Sequence, residues 1–434
     1  MLVSILYYII GLSIWKYKKE YLPIYQMYLI TFGLLLTEII NPSISSEDLW
    51  NSFSTISPIC TNLTIIGILL NLTFNKIPNF YHTNKNYLIL IFFSIFYFLF
   101  WQVFHRRDYG WGIFYLFINV TSLSLYFQTI PYKFSYQCFK IHAIYIFCIE
   151  LVFIAISFIF GPLYLSQQLE IYSGKPFLLA GTFYRYNWLA SFLSFFGIIL
   201  SFSYFYLKIK FKIYVIIILL ILILLLLTGA RMQLVWMIIT ILTIVFLNRK
   251  NNKKICFAIF LFASITFSLL KSIDLKGYST GDATSGIERQ LYGIINALNS
   301  NSTEKGEQTQ DISYYIIEHF FYHSPFIGNG IGNKEYSYHP NISNKVMMAD
   351  APQAYLLVEY GIIGLAIAYS FLFIAINLMK KGMYKSDKEK ISIIVATLFI
   401  LSITESGFLD VTLMIYLWNY FAYLKYSKNN ETYV

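Results

Sequence analysis

Five of the six arginines, Arg106, Arg107, Arg185, Arg231 and Arg289, fall in segments that alternate with lysine-rich ones; Arg249 alone sits among the lysines. Lysine and arginine serve equally as topological charges, so topology does not explain the split. Guanidinium stays charged and grips phosphate oxygens in a bidentate fork, which an ammonium cannot do. The arginine side therefore reads as a site for a phosphorylated lipid. The competing reading is a small-number accident plus snorkelling at the headgroups. The same side carries His319, His323, His339 and Asp350, which could take a proton from an attacking hydroxyl. Each is also a residue type that is often only solvated or structural in a loop.

The elements that must hold these groups are membrane helices. Of 434 residues, 57% are hydrophobic, 20% aromatic and 12% charged, where a soluble domain carries about a quarter charged. That balance excludes a water-soluble enzyme, and the aromatic content excludes a disordered chain. The net charge of +10 is spread in short clusters between apolar runs. Such clustering reflects topology, so no nucleic acid is expected as a partner. Cys60, Cys138, Cys148 and Cys256 show no CxxC spacing, and neither a disulfide framework nor a metal site is expected.

A helical span takes about 20 apolar residues. Runs of this kind cover 1–15, 21–40, 56–74, 87–104, 112–130, 141–160, 188–207, 213–228, 232–247, 255–270, 354–379, 391–404 and 411–425. The reading is an all-α polytopic membrane protein with about 12–14 transmembrane helices. It divides into N-terminal helices (1–160), a loop (161–187), central helices (188–270), a large loop (271–353) and C-terminal helices (354–434). Lysines cluster near 16–19, 76–85, 133–140, 208–212, 250–254, 380–390 and 425–428, so these positions and the C-terminus are read as cytoplasmic. Both loops then lie outside. Within the larger one, apolar residues recur at helical spacing in 287–298 and 312–323, as in amphipathic helices. No internal repeat is apparent. Glu38 and Glu150 are read as lying near span ends, wet or hydrogen-bonded rather than coupled to an ion.

Four stretches combine glycines with polar residues in a fixed order. GTFYRYNWLASFL (181–193) runs from loop into helix. LLTGARMQLVW (226–236) ends one span, turns at Thr228-Gly229 and opens the next with Arg231. An arginine at such a mouth costs a few kcal/mol unless it is paired or wet, and a snorkelling interfacial arginine is the plainer reading. HSPFIGNGIG (323–332) has glycines that permit backbone turns near a ligand, or a simple reverse turn. DAPQAYLLVEYGIIGLAIAYSF (350–371) carries polar residues into a helix containing Glu359.

This order resembles the O-antigen polymerase and O-antigen ligase superfamily of bacterial membrane glycosyltransferases. Its GTF-x-x-x-N-x-x-A motif is matched by Gly181, Thr182, Phe183, Asn187 and Ala190, and its T-G-[SA]-R turn by Thr228, Gly229, Ala230 and Arg231. Its H-x-P-x-x-G-x-G motif is matched by His323, Pro325, Gly328 and Gly330, and its Y-L…G-x-x-G helix by Tyr355, Leu356, Gly361 and Gly364. Thr404, Glu405 and Ser406 fit a final turn. The resemblance covers about 180–410. The ligases carry a histidine, assigned as catalytic base, just before the Tyr-Leu pair; here Pro352 and Gln353 stand there, so the polymerase branch fits better.

The resemblance implies a GT-C-like fold in the bacterial inner membrane. It also implies a polymerase that joins undecaprenyl-pyrophosphate-linked oligosaccharide repeat units at the periplasmic face and releases undecaprenyl pyrophosphate. No cofactor and no metal are implied. Membrane lipid is a partner, with a chain-length regulator and a flippase as further candidates. Arg231, then Arg185 and Arg289, are the candidates to face the pyrophosphate. His339, Asp350 and His323 are the candidates for proton transfer, unless orientation of the acceptor alone carries the rate. The alternatives are a ligase moving glycan onto lipid A core or protein, and a glycolipid transporter or flippase. A flippase would be expected to run charges through its spans and to lack a large external domain.

Overall fold

The computed structural model describes residues 2–75, 80–105, 111–130, 136–160, 181–183, 186–207, 210–247, 318, 321–328, 352–404 and 410–426. Every regular element among them is helical. These are α1 (Leu2–Tyr17), α2 (Leu22–Ile40), α3 (Ser46–Asn75), α4 (Phe80–Thr83), α5 (Lys85–His105), α6 (Trp111–Thr129) and α7 (Tyr136–Phe160). They continue as α8 (Tyr186–Leu207), α9 (Phe211–Thr228), α10 (Arg231–Leu247), α11 (Pro352–Lys380), α12 (Lys385–Thr404) and α13 (Val411–Tyr426). Each apolar run read from the sequence coincides with one of these helices, except 255–270, which lies outside the described residues. Of the amphipathic segments of the larger loop, 287–298 lies outside them too, and 312–323 is described only at the helical Glu318 and the 3-10 turn Phe321–His323.

Among the described residues, six stretches are long and apolar enough to cross a membrane: Lys19–Ile40, Thr55–Phe74, Cys138–Ser157, Asn187–Tyr204, Phe211–Thr228 and Tyr360–Lys380. The helices also present large apolar side chains on their outside, among them Phe92, Phe96, Val152, Ile216 and Ile223. Such a surface suits lipid rather than water. The chain is a polytopic membrane protein.

It forms two compact units. The first holds Met1–Cys148, Thr309–Ile391 and Ser402–Val434, and the second holds Ile149–Gln308 and Ser392–Leu401. In the first, α13 is the central helix, buried on nearly every face from Thr412 to Leu424, and it packs on α2, α6 and α11. Helices in lipid gain little from hydrophobic exclusion, so close approach and polar links hold them together. Gln26 donates to the Cys60 carbonyl at 2.8 Å and to the Thr64 hydroxyl at 2.7 Å, joining α2 to α3. Asn71 donates to Thr129 at 3.0 Å, joining α3 to α6. Thr31 and Tyr416 share a 2.5 Å hydrogen bond between α2 and α13.

In the second unit α8 packs on α9 and α10. Its inner face is Leu189, Ala190, Phe192, Leu193, Phe195, Ile198 and Phe202, all buried. Gly197 lets the Met237 sulfur come within 2.4 Å of where a Cβ would stand. Thr397 of α12 accepts hydrogen bonds from the Trp236 indole at 3.2 Å and from Thr240 at 2.9 Å.

Candidate functional site

The first two motifs belong to the second unit. The GTF loop is fastened to Glu150 of α7, which is 1% exposed. Thr182 donates its backbone N–H to Glu150 Oε1 at 2.9 Å and its hydroxyl to Oε2 at 2.5 Å. Gly181 has φ +58°, and a Cβ there would stand 1.9 Å from Glu150 Oε1. Both the left-handed backbone and the lack of space demand glycine. Phe183, also buried, packs on Phe192 of α8 with ring centroids 5.0 Å apart. Asn187 is half-buried in the first turn of α8.

The sequence reading of Glu150 is thus part right and part wrong. The carboxylate is hydrogen-bonded, but it lies in the middle of the Cys138–Ser157 stretch, not near its end. Its partner comes from a loop 32 residues further along the chain.

The second motif ends α9 and opens α10. Gly229 is the left-handed cap (φ 69°, ψ 9°), its N–H reaching the Leu226 carbonyl at 3.2 Å. Thr228 donates its hydroxyl to Leu225 and accepts the Ala230 N–H at 3.3 Å. Arg231 is the first residue of α10; its side chain lies outside what the structure describes. Ser194 of α8 donates to the Gln233 carbonyl at 2.9 Å, so the helix that follows the GTF loop is tied to the turn carrying Arg231. Sequence order does not announce that link, which joins a serine and a main-chain oxygen 39 residues apart.

The third and fourth motifs meet in the first unit. The G-x-x-G helix, expected as one continuous span, is broken: Gly361 has φ 65° and ψ −175° inside α11. Its successors donate to the preceding loop, Ile362 N–H to the Pro325 carbonyl at 2.9 Å and Ile363 N–H to the Phe326 carbonyl at 3.0 Å. These are donors that a restarting helix leaves without intrahelical partners. A Cβ on Gly361 would stand 2.4–2.5 Å from the Ile327 and Gly328 nitrogens and the Phe326 carbonyl carbon.

Gly328 (φ 79°) closes the loop by donating to Ser324 at 2.8 Å. Its backbone freedom serves a turn that docks on a helix. Tyr97 of α5 directs its hydroxyl at the Ile327 carbonyl (3.4 Å) and the Tyr360 carbonyl (3.5 Å). Nothing in the sequence distinguishes this tyrosine from its many neighbours.

His323 closes a short 3-10 turn and Glu359 lies in α11 just before the break; the side chains of both are outside what the structure describes. Arg185, Arg289, His319, His339, Asp350 and Gly330 lie outside the described residues altogether. What is described is two glycine-dependent loops, one fastened to the buried carboxylate of α7 and the other to the main chain of α11.

Compared with models of known families, with curated proteins and with solved structures, the chain matches none.

Proposed function

We propose that this chain is a membrane glycosyltransferase that polymerises polyprenyl-pyrophosphate-linked oligosaccharides, as the motif resemblance implies. One observation supports it best. Two motifs more than 30 residues apart in sequence, H-x-P-x-x-G and Y-L…G-x-x-G, dock carbonyl to amide at Pro325–Ile362 and Phe326–Ile363. A Cβ on Gly361 would meet the main chain of the docked loop, and Gly328 in that loop has a left-handed φ of 79°. Chance matches to short patterns have no reason to pair in this way.

In the proposed reaction the acceptor hydroxyl oxygen of a fresh repeat unit attacks the anomeric carbon of the growing chain. The bond from that carbon to the pyrophosphate oxygen breaks, and undecaprenyl pyrophosphate leaves with the electron pair. The hydroxyl proton passes to a base, for which His339, Asp350 and His323 are the candidates. Negative charge grows on the leaving pyrophosphate, and a fixed guanidinium there stabilises the transition state more than the ground state. Arg231 is assigned this role, with Arg185 and Arg289 as further contacts. The glycosyl pyrophosphate itself supplies the driving force, so neither nucleotide nor metal is required. The reading places this chemistry at the periplasmic face of the inner membrane.

The test is reconstitution of the purified chain with lipid-linked repeat unit, in parallel without and with lipid A core as a second acceptor. Chain growth without added nucleotide or metal supports the proposal. Transfer only to lipid A core would make the protein a ligase, and absence of any transfer would overturn the enzyme reading.

A further inference from the structure

The first unit has a cavity of roughly 460 Å³ at the end of α11 away from the Gly361 break. From Gly361 to Lys380 the helix rises about 28 Å, close to the thickness of a bilayer core. The cavity lies between the first turn of α5, with Asn86, and the α11–α12 hairpin, with Ile374, Asn377, Lys380, Lys381 and Lys388. It belongs to the lysine-rich end of the unit.

Its chemistry is that of an anion site. Residues 380–390 hold five lysines against Asp387 and Glu389, and Asp387 is engaged by Lys390 at 2.8 Å. Another ammonium stands at the wall: Lys425 donates to the carbonyl of Leu378, a lining residue, at 3.2 Å. Like charges gathered around one cavity repel, and an anion among them relieves that repulsion. The start of α5 adds the positive end of a helix dipole, and the asparagine amides add neutral donors. Along α11 the lining changes from apolar Ile374 to charged Lys380 over about 9 Å. Roughly 460 Å³ falls within the range of about 300–1,000 Å³ usual for small-molecule sites. The gradient suits a group with a charged head and an apolar neighbour.

We propose that this cavity binds a phosphate group, either the headgroup of an anionic phospholipid or free phosphate. The proposal does not depend on the polymerase reading. The full chain, purified in detergent and depleted of lipid, is offered phosphatidylglycerol or phosphatidylcholine with the same acyl chains and followed by native mass spectrometry. A parallel sample is dialysed against inorganic phosphate. The comparison protein is the double variant Lys381→Gln/Lys388→Gln, both exposed positions, with Lys385→Gln as the control outside the cavity lining. Size-exclusion profile and melting temperature establish that each variant is folded.

Preferential retention of phosphatidylglycerol, falling about fivefold for each cavity lysine removed and unchanged in the control, supports the proposal and assigns the lipid. Phosphate binding that is lost in the double variant supports it and assigns the free ion. Equal retention of both lipids with no phosphate binding overturns it. So does retention that is indifferent to the two lysines.

Discussion

Thr182 engages both carboxylate oxygens of Glu150, backbone N–H on one and hydroxyl on the other, and Gly181 beside it leaves no space for a Cβ. A charged-residue type buried in an apolar helix is costly unless every lone pair finds a donor. Here the donors come from a loop, so the cost of burying Glu150 is offset only when the loop is seated. The carboxyl group thus acts as a latch that makes the GTF loop and α7 a single piece.

A double-mutant cycle tests the latch. Gly181→Ala meets both a steric clash with Glu150 and left-handed backbone strain of about 1–3 kcal/mol. Glu150→Ala leaves two Thr182 donors unpaired, at about 1–3 kcal/mol each. The clash vanishes once Glu150 is truncated, so the double variant should be less destabilised than the two single effects added together. Thermal unfolding in detergent measures this, and strict additivity would show that the two residues do not meet.

Gly361 and Gly382 offer a matched comparison. Both have positive φ, 65° and 81°, but a Cβ on Gly382 meets nothing within 4 Å while one on Gly361 meets main-chain atoms. Alanine at 382 should cost about 1 kcal/mol, the backbone term alone. Alanine at 361 must also push the 325–328 loop off the helix, releasing the amides of Ile362 and Ile363. It should lower the melting temperature further and abolish chain growth, where Gly382→Ala leaves growth intact. Equal effects from the two substitutions would refute the docking role.

The helices were legible because hydropathy reports what each side chain does in lipid. The run at 391–404, the shortest accepted, is a helix from Lys385, its polar first turn hiding the start from an apolar window. The break at Gly361 was not legible in the same way. Ile362 and Ile363 are apolar and continue the pattern, and only φ distinguishes a helix that restarts from one that runs on. Glu150 stood out as a carboxylate in an apolar stretch, yet its partner Thr182 is fixed by tertiary structure. Of the site, Gly229 and Gly328 could be read as turns and Gly181 as loop from the sequence; what each docks against could not.

The lysine and arginine distribution makes a sidedness prediction. Tyr322, 69% exposed, lies in the loop read as periplasmic, and Tyr384, 59% exposed, in the lysine-rich hairpin. In a cysteine-free background, Tyr322→Cys should react with a membrane-impermeant maleimide in intact spheroplasts, whereas Tyr384→Cys should react only after lysis. Reversed labelling would place the arginine motifs in the cytoplasm and remove the polymerase proposal with them.

Arg231 separates chemistry from positioning. It opens α10 directly after the Gly229 cap, and the turn is already held by Thr228, Ala230 and the Ser194–Gln233 link, none of which uses a guanidinium. Truncating it should leave the melting temperature near that of the parent, unlike Gly181→Ala or Gly361→Ala. Loss of one donor to a developing anion typically lowers the rate about 100- to 1,000-fold, so Arg231→Ala should lower the turnover number for chain growth by that factor. Arg231→Lys restores the charge without the bidentate fork and should recover only part of the rate. A parental rate in Arg231→Ala would take the residue out of catalysis. A rate loss matched by a fall in melting temperature would reassign it to holding the turn.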